Sequence, residues 1–351
     1  MNEHVWSVLL AGGVGSRFWP VSRAARPKQL LDLFGEGPML RATLDRARPL
    51  APPERTLVVT SEPLAKTVRE MMPEVPADQV LAEPSGKNTA PAIAWAAKVA
   101  LDRDPDAILM VLPSDHHISR PDVFRWTARQ AIALADSRLV TIGIVPTHPE
   151  TGYGYIEVGA SLADLAHGDA PHACEVARFS EKPDLETAIA YLASERHLWN
   201  AGMFFMSARL YLDELALHRP ALGRVVASSP SDLRTVWSEL ESVSIDYAVM
   251  EHSQKVAVVP GDFGWSDVGS WSSLFDHRHP GLPSFHAGEV IELDGSGNVL
   301  FADGGVVATL GVSDLIVVHT ADATFVAPRA AAQRAREIVT ALDKKGRKDL
   351  L

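Results

Sequence analysis

The residues best suited to chemistry gather near the start of the chain. Leu10-Ala11-Gly12-Gly13-Val14-Gly15-Ser16-Arg17-Phe18-Trp19-Pro20 is followed a few residues on by Arg26-Pro27-Lys28-Gln29-Leu30. Glycines after an apolar run let backbone N–H groups approach phosphate oxygens, and Arg17 and Lys28 add the cations such a loop lacks by itself. The pattern points to a cradle for nucleotide phosphates. It is neither of two familiar ones. A Walker A loop needs Lys-Ser/Thr directly after its last glycine, where this chain has Ser16-Arg17; a G-x-G-x-x-G fingerprint starting at Gly13 needs a small residue where Phe18 stands.

A loop of this kind must be held by regular elements. Short apolar runs at Trp6 to Leu10, Thr56 to Thr60, Gln79 to Ala82, Ala107 to Leu112 and Leu139 to Val145 alternate with helical patterns at about 39–48, 62–72, 89–101 and 121–136. This alternation predicts a parallel sheet covered on both faces, with ligands beyond the carboxyl ends of the strands. Ala11-Gly12-Gly13 and Pro113-Ser114-Asp115 both fall there. From about 150 to 280 the alternation breaks into hairpin-like and irregular stretches. From about 286 to 328 short β runs between Gly, Asp and Asn turns (Glu289 to Leu293, Val299 to Phe301, Val306 to Leu310, Leu315 to His319, Thr324 to Val326) predict a small β appendage. A last helix from Pro328 to about Lys345 places Ala331, Ala335, Ile338, Val339 and Leu342 on one face.

Composition narrows the function classes. With 351 residues the chain is long enough for two domains. A net charge of −11 argues against a nucleic-acid partner, although local cations can still hold a small anion. Cys174 is the single cysteine, so no internal disulfide and no cysteine-based zinc site is expected. The amino-terminal residues lack a secretory pattern and no apolar run is long enough for a membrane span, so a cytoplasmic protein with no membrane partner is expected.

Gly-Gly-x-Gly-Ser-Arg-Phe-x-Pro followed by Pro-Lys-Gln-Leu resembles the signature of the sugar-nucleotide pyrophosphorylases, and Leu10 to Leu33 as a whole is most similar to their mannose-1-phosphate guanylyltransferase branch. Further segments agree in order: Glu83 to Ile93, Pro113 to His116, Thr151 to Ile156, Phe179 to Pro183, Trp199 to Phe204, Ser244 to Tyr247, Trp265 to Gly269 and Asp314 to Ala327. The resemblance implies an α/β, Rossmann-like nucleotidyltransferase fold (glycosyltransferase-A-like). A mixed, mainly parallel sheet flanked by helices would occupy residues 1–285, and a small, short-β-helix-like β domain with a terminal helix residues 286–351. It also implies transfer of GMP from GTP to α-D-mannose 1-phosphate, giving GDP-mannose and pyrophosphate, with positioning and charge neutralisation as the main catalytic devices.

By the same resemblance Arg17, Lys28, Asp115 and Asp267 are the catalytic set, Asp115 and Asp267 holding Mg²⁺ with phosphate oxygens and water. The nucleotide would meet Leu10, Ala11, Gly12, Gly13, Gly15, Ser16, Arg17, Lys28, Glu83, Pro84, Lys87, Asn88, Thr89, Ser114 and Asp115. A carboxylate or carbonyl between Glu83 and Thr89 can accept from guanine N1–H and N2–H₂, while Asn88 or Thr89 can equally cap a helix. Tyr153, Gly154, Glu181, Lys182 and Asn200 would bind the sugar phosphate. His116 and His117 read as structural, because adjacent residues on an extended chain point to opposite faces.

Three rivals remain: a nucleotidyltransferase for another sugar 1-phosphate or base, a non-catalytic sugar-nucleotide sensor, and a Rossmann dehydrogenase, which Phe18 and Lys28 disfavour. The carboxyl end falls about where an isomerase domain of some relatives would start, so no isomerase activity is expected. A homodimer is expected from the family.

Overall fold

The computed structural model describes residues 3–13, 15–162, 173–226, 236–278 and 281–351. Its contacts divide the chain into two compact units. The first comprises Met1–Gly12, Thr43–Ser114 and Ile118–Trp265. It is built on a nine-stranded sheet of β1 (Val5–Ala11), β2 (Thr56–Ser61), β3 (Val80–Glu83), β4 (Ile108–Pro113), β5 (Leu139–Ile144), β6 (Gly154–Ser161), β7 (Cys174–Glu181), β8 (His197–Ser207) and β9 (Val256–Gly261), in the order β3-β2-β1-β4-β8-β5-β9-β7-β6. β1 pairs in parallel with β2 and β4, β2 with β3 and β5 with β9; only β7 and β8 run against the other strands.

The four predicted helices are present as α1 (Met39–Ala47), α2 (Glu62–Met71), α3 (Thr89–Leu101) and α4 (Pro121–Leu134), followed by α5 (Leu185–Ser194), α6 (Ala208–His218) and α7 (Pro220–Val226). α3 is largely buried along its alanine-rich length and shares a core with Trp6, Val8, Leu57 and Val59. The stretch from about 150 to 280, read from sequence as hairpin-like and irregular, supplies four strands of the same sheet. β8 lies between β4 and β5, pairing Val111 with Phe204 and Gly143 with Asn200. Glycine is required at 143, where a Cβ would stand 2.6 Å from the Leu198 side chain and 2.8 Å from that of Val258.

The second unit is assembled from Gly13–Ala42, Asp115–His117 and Ser266–Leu351. Its strands β10 (Phe285–Leu293), β11 (Val299–Leu310), β12 (Leu315–Thr320) and β13 (Thr324–Pro328) form one sheet in that order, the first three parallel. Val299 stands beside Ile316 and Phe301 beside Val318, so the chain returns to the same position after 17 residues. Parallel neighbours joined so tightly require the backbone to coil. The runs Val299 to Phe301 and Val306 to Leu310 are one strand, bent where Gly304 and Gly305 take φ of +89° and +71°.

Inside the coil the fully buried Asn298 donates to Glu292 Oε1 (2.6 Å) and to the Val312 carbonyl (2.9 Å), and accepts from the Leu315 N–H (2.8 Å). Burial disfavours the Glu292 carboxylate, but hydrogen bonds from Asn298, His286 and Ser284 outweigh it and hold this carboxyl below its ordinary range. The terminal helix α8 (Ala335–Lys344) follows a 3₁₀ turn over Arg329–Arg334. That tighter turn shifts the register predicted from sequence. Ala332, Ala335, Val339 and Leu342 face the core, while Ile338 is 39% exposed. Among the described residues no helix is long and apolar enough to cross a membrane.

Candidate active site

In the second unit the glycine-rich loop folds back on Lys28. Gly15 takes a left-handed conformation (φ +64°), and a Cβ there would lie 2.5 Å from the Lys28 Cβ. Only glycine permits this approach. Ser22 Oγ donates to the Gly15 carbonyl (2.7 Å) and Gln29 Nε2 to that of Gly13 (3.3 Å). Arg17, in the 3₁₀ turn Ser16–Phe18, is exposed, whereas Lys28 is buried.

Lys28 Nζ donates to Asp115 Oδ2 at 3.0 Å and to the Asp267 backbone carbonyl at 2.6 Å. One ammonium thus joins the two aspartates that the sequence left far apart. Burial opposes ionisation of Asp115, but the charges of Lys28 and His116 and the Lys28 hydrogen bond prevail, and the carboxyl lies below the usual carboxylate range. His117 stacks on Phe34 (4.2 Å) and meets His277 edge-on (4.6 Å), a packing role consistent with its reading as structural.

In the first unit Ser114 Oγ and the Ser114 N–H both donate to the Leu10 carbonyl (2.7 and 3.1 Å), and Thr60 Oγ1 donates to that of Ala11 (3.1 Å). These bonds fix the strand ends before the glycine loop. Glu83 closes β3 as a buried carboxyl whose Oε1 has no hydrogen-bond partner among the described residues, and burial raises its pKa to about 7. Pro84 is exposed.

The loop after Glu83 is clamped. Asn88 takes φ +67° and caps α3 through the Thr89 N–H (2.8 Å), and Thr89 Oγ1 accepts from Ile245 N (2.9 Å). Lys87, placed by resemblance among the nucleotide-binding residues, directs its ammonium to the carbonyls of Ser238 (2.9 Å) and Leu240 (2.7 Å).

A second polar group forms where β6, β7 and β8 meet. Gly154 lies so close to Glu181 and Asn200 that a Cβ would stand 2.5 Å from Glu181 Oε2 and 3.3 Å from the Asn200 Cβ. Lys182, held at φ +48°, donates through its ammonium to Glu181 and through its N–H to the Tyr153 carbonyl (3.1 Å). Burial disfavours the Lys182 ammonium, but Glu181 more than compensates and keeps its pKa raised. The Tyr153 ring packs edge-on against Trp199 (5.2 Å) and Trp265 (5.3 Å).

Asn200 Nδ2 donates to Asp246 Oδ1 (3.0 Å), while Asn200 Oδ1 accepts from Thr141 Oγ1 (2.8 Å) and Gly202 N (3.1 Å). Asp246, on a π-helical turn over Asp246–Met250, was not among the predicted site residues, although the segment Ser244 to Tyr247 carries it. Burial, reinforced by the charge of Glu181, pushes its carboxyl up to about 7. π-Helical turns recur at functional positions, so this aspartate joins the candidate set.

Two family profiles match this chain, one after the other. The nucleotidyl transferase family profile matches residues 6–280, and that of the mannose-phosphate isomerase/GMP-like β-helix domain matches residues 288–342. A mannose-1-phosphate guanylyltransferase of Escherichia coli K12 is 41% identical, over 99% of this chain and 75% of its own length. The Salmonella typhimurium mannose-1-phosphate guanylyltransferase ManC is 42% identical, over 98% of this chain and 74% of its own. A crystal structure of a mannose-1-phosphate geranyltransferase from Thermus thermophilus superposes with a TM-score of 0.84 at 33% identity, covering 97% of this chain and 99% of that one. A profile spanning most of the chain and relatives above 40% identity over nearly all of it make this chain a member of the nucleotidyl transferase family, in its mannose-1-phosphate guanylyltransferase branch.

Proposed function

We propose that this chain transfers GMP from GTP to α-D-mannose 1-phosphate, yielding GDP-mannose and pyrophosphate. The observation that carries the reading is Glu83, a buried carboxyl at the end of a strand with one oxygen unpartnered among the described residues. As a carboxylate it accepts the paired N1–H and N2–H₂ donors of guanine. A phosphate oxygen of the sugar phosphate attacks the α-phosphorus as the bond to the bridging oxygen breaks, and pyrophosphate leaves with that electron pair. No side-chain nucleophile enters, so the protein's work is orientation and charge neutralisation.

Backbone N–H groups of Gly12, Gly13, Gly15 and Ser16 with Arg17 and Lys28 hold the triphosphate, while Leu10, Ala11 and Ser114 fix the strand ends that lead into the loop. Asp115 and Asp267 suit a hard divalent cation. Both are carboxylates, Asp115 is kept ionised by its cationic neighbours, and one ammonium ties the two residues together. When bound there, Mg²⁺ offsets phosphate charge. Pro84, Lys87, Asn88 and Thr89 shape the loop beside the base. Lys182 binds the phosphate of mannose 1-phosphate, and Glu181, Asn200 and Asp246 take its hydroxyls, with Tyr153 and Gly154 closing the strand end. Gly154→Ala, which forces Glu181 aside, is expected to raise KM for mannose 1-phosphate about tenfold with KM for GTP unchanged. Steady-state kinetics with each substrate varied would check this.

Pyrophosphate release by the purified chain with Mg²⁺, crossing GTP, ATP, dTTP and UTP with mannose 1-phosphate and glucose 1-phosphate, tests the whole reading. Release with GTP and mannose 1-phosphate, abolished by Asp267→Asn, is expected. Preference for another pair overturns the substrate assignment, and no release from folded protein favours a sugar-nucleotide sensor. A domain boundary at 285/286, a homodimer and a cytoplasmic location belong to the same proposal.

A further inference from the structure

The loop bearing Arg17 and Lys28 is fastened to the carboxyl-terminal coil of its own unit. Phe18 packs on Trp271 (5.0 Å between ring centroids), and Trp271 in turn packs on Phe301 of β11 (5.2 Å). Trp19 meets Phe325 of β13 edge-on (6.1 Å). Its indole Nε1 donates to the Leu350 backbone carbonyl at 2.9 Å, 331 residues away in sequence, and its own carbonyl accepts from Trp271 Nε1 at 3.0 Å.

Two more anchors follow along the loop. Arg23 and Arg26 exchange backbone N–H···O bonds of 3.0 Å each, which closes the segment between them. The Arg23 guanidinium sits 5.5 Å from the centre of the Trp19 ring, donates to the Pro20 carbonyl and reaches Asp322 Oδ1 at 3.1 Å. Arg26 donates to Asp303 Oδ2 at 2.8 Å. Asp303 lies on β11, and Asp322 lies in the turn between β12 and β13.

These contacts sort the four cations of the loop. Arg23 and Arg26 are matched to coil carboxylates, whereas Arg17 is exposed and Lys28 is held by Asp115. The Arg26–Asp303 pair is about half exposed on both sides, and Asp322 is 52% exposed, so these pairs add little to global stability. Their consequence is geometric. A loop that neutralises a polyphosphate must keep its cations in place against a strong local field, and small displacements of catalytic groups reduce rate steeply.

We propose that Trp19, Arg23 and Arg26 are positioning residues which, through Leu350, Asp322 and Asp303, hold the phosphate loop in register. The carboxyl-terminal coil thereby sets the turnover of nucleotidyl transfer without touching substrate. The proposal rests on the reading that this loop binds the triphosphate.

The test uses the full chain with Arg23→Ala, Asp322→Ala, the double variant, Asp303→Asn and Trp19→Phe, which keeps an aromatic ring but removes the donor to Leu350. Each single variant is expected to lower kcat about tenfold while KM for mannose 1-phosphate stays within about twofold. The Arg23→Ala/Asp322→Ala double variant is expected to fall no further than its more impaired parent, since the two act as one contact. Melting temperatures of the aspartate variants are expected to stay within about 3 °C of the unsubstituted chain. A lowered melting temperature with unchanged kcat would mean that the contacts only stabilise the fold, and unchanged kcat in every variant would overturn the proposal alone. Absence of turnover by the unsubstituted chain with every substrate pair would remove the triphosphate reading, and this inference with it.

Discussion

Lys28→Met is expected to reduce kcat for nucleotidyl transfer on the order of 10²- to 10³-fold, the effect of removing one well-placed donor from developing charge. The size follows from what this single ammonium does. It contacts the Asp115 carboxylate and the Asp267 backbone carbonyl together, so its loss leaves Asp115 without its counter-ion and the Asp267 carbonyl without its donor. Methionine keeps the stem that packs beside Gly15 and removes only the charge and its hydrogen bonds. Breaking an enclosed ion pair costs several kcal/mol. With Asp115 39% exposed, a smaller loss of about 2 kcal/mol in folding stability is expected. Rapid-quench turnover and urea denaturation of the same preparation separate the two effects. Full turnover by a folded Lys28→Met chain would remove this lysine from the machinery.

Glu83→Gln is expected to raise KM for GTP on the order of 10²-fold and to leave KM for mannose 1-phosphate unchanged, because two hydrogen bonds to a charged acceptor are weakened together. Burial raises the Glu83 pKa from 4.5 to about 7, while guanine needs the carboxylate. Below about pH 7, binding must therefore expel a proton, and KM for GTP is expected to rise up to about tenfold per pH unit in the unsubstituted chain but not in the glutamine variant. Stability moves the other way. The folded state keeps a proton that the unfolded state loses, so this group's contribution to stability declines as pH rises from 4.5 to about 7 and stays low above it. Glutamine removes that penalty, and the variant is expected to gain up to about 3 kcal/mol at pH 8 and nothing near pH 4. Melting curves at both pH values with GTP titrations would check this. An unaltered KM for GTP would make Glu83 a buried curiosity of β3 and take the base contact elsewhere.

The parallel half of the large sheet was legible because each strand is a compact run of Val, Leu and Ile followed by turn residues, and each helix carries its own stripe. β8 was not. His197-Leu198-Trp199-Asn200-Ala201-Gly202 mixes polar, aromatic and small residues, with Gly202 at φ +67°, and its apolar end becomes a central strand only because β4 and β5 take it up on both sides. The site shows the same split. Local signals marked Arg17 and Lys28, whereas Glu181 and Lys182 entered only through the family resemblance. The partners of Lys87 lie more than 150 residues downstream, and Asp246 becomes a candidate only through Asn200, so neither role could be read from spacing. The coil was read as short β runs, since Gly304 and Gly305 look like an ordinary turn yet bend a continuous strand.

The placement of β8 also orders events on the ribosome. β4 and β5 are finished by residue 144, yet the strand that joins them spans 197–207, so the edges of β4 and β5 that face it wait unpaired for more than fifty further residues. The sheet is sealed in the middle only when β8 arrives, and β9 and β7 can then extend it outward. Such late, non-local closure makes for slow folding and leaves open edges exposed to neighbouring nascent chains. A chain of this design therefore depends on shelter during synthesis more than its uninterrupted strand–helix opening would suggest.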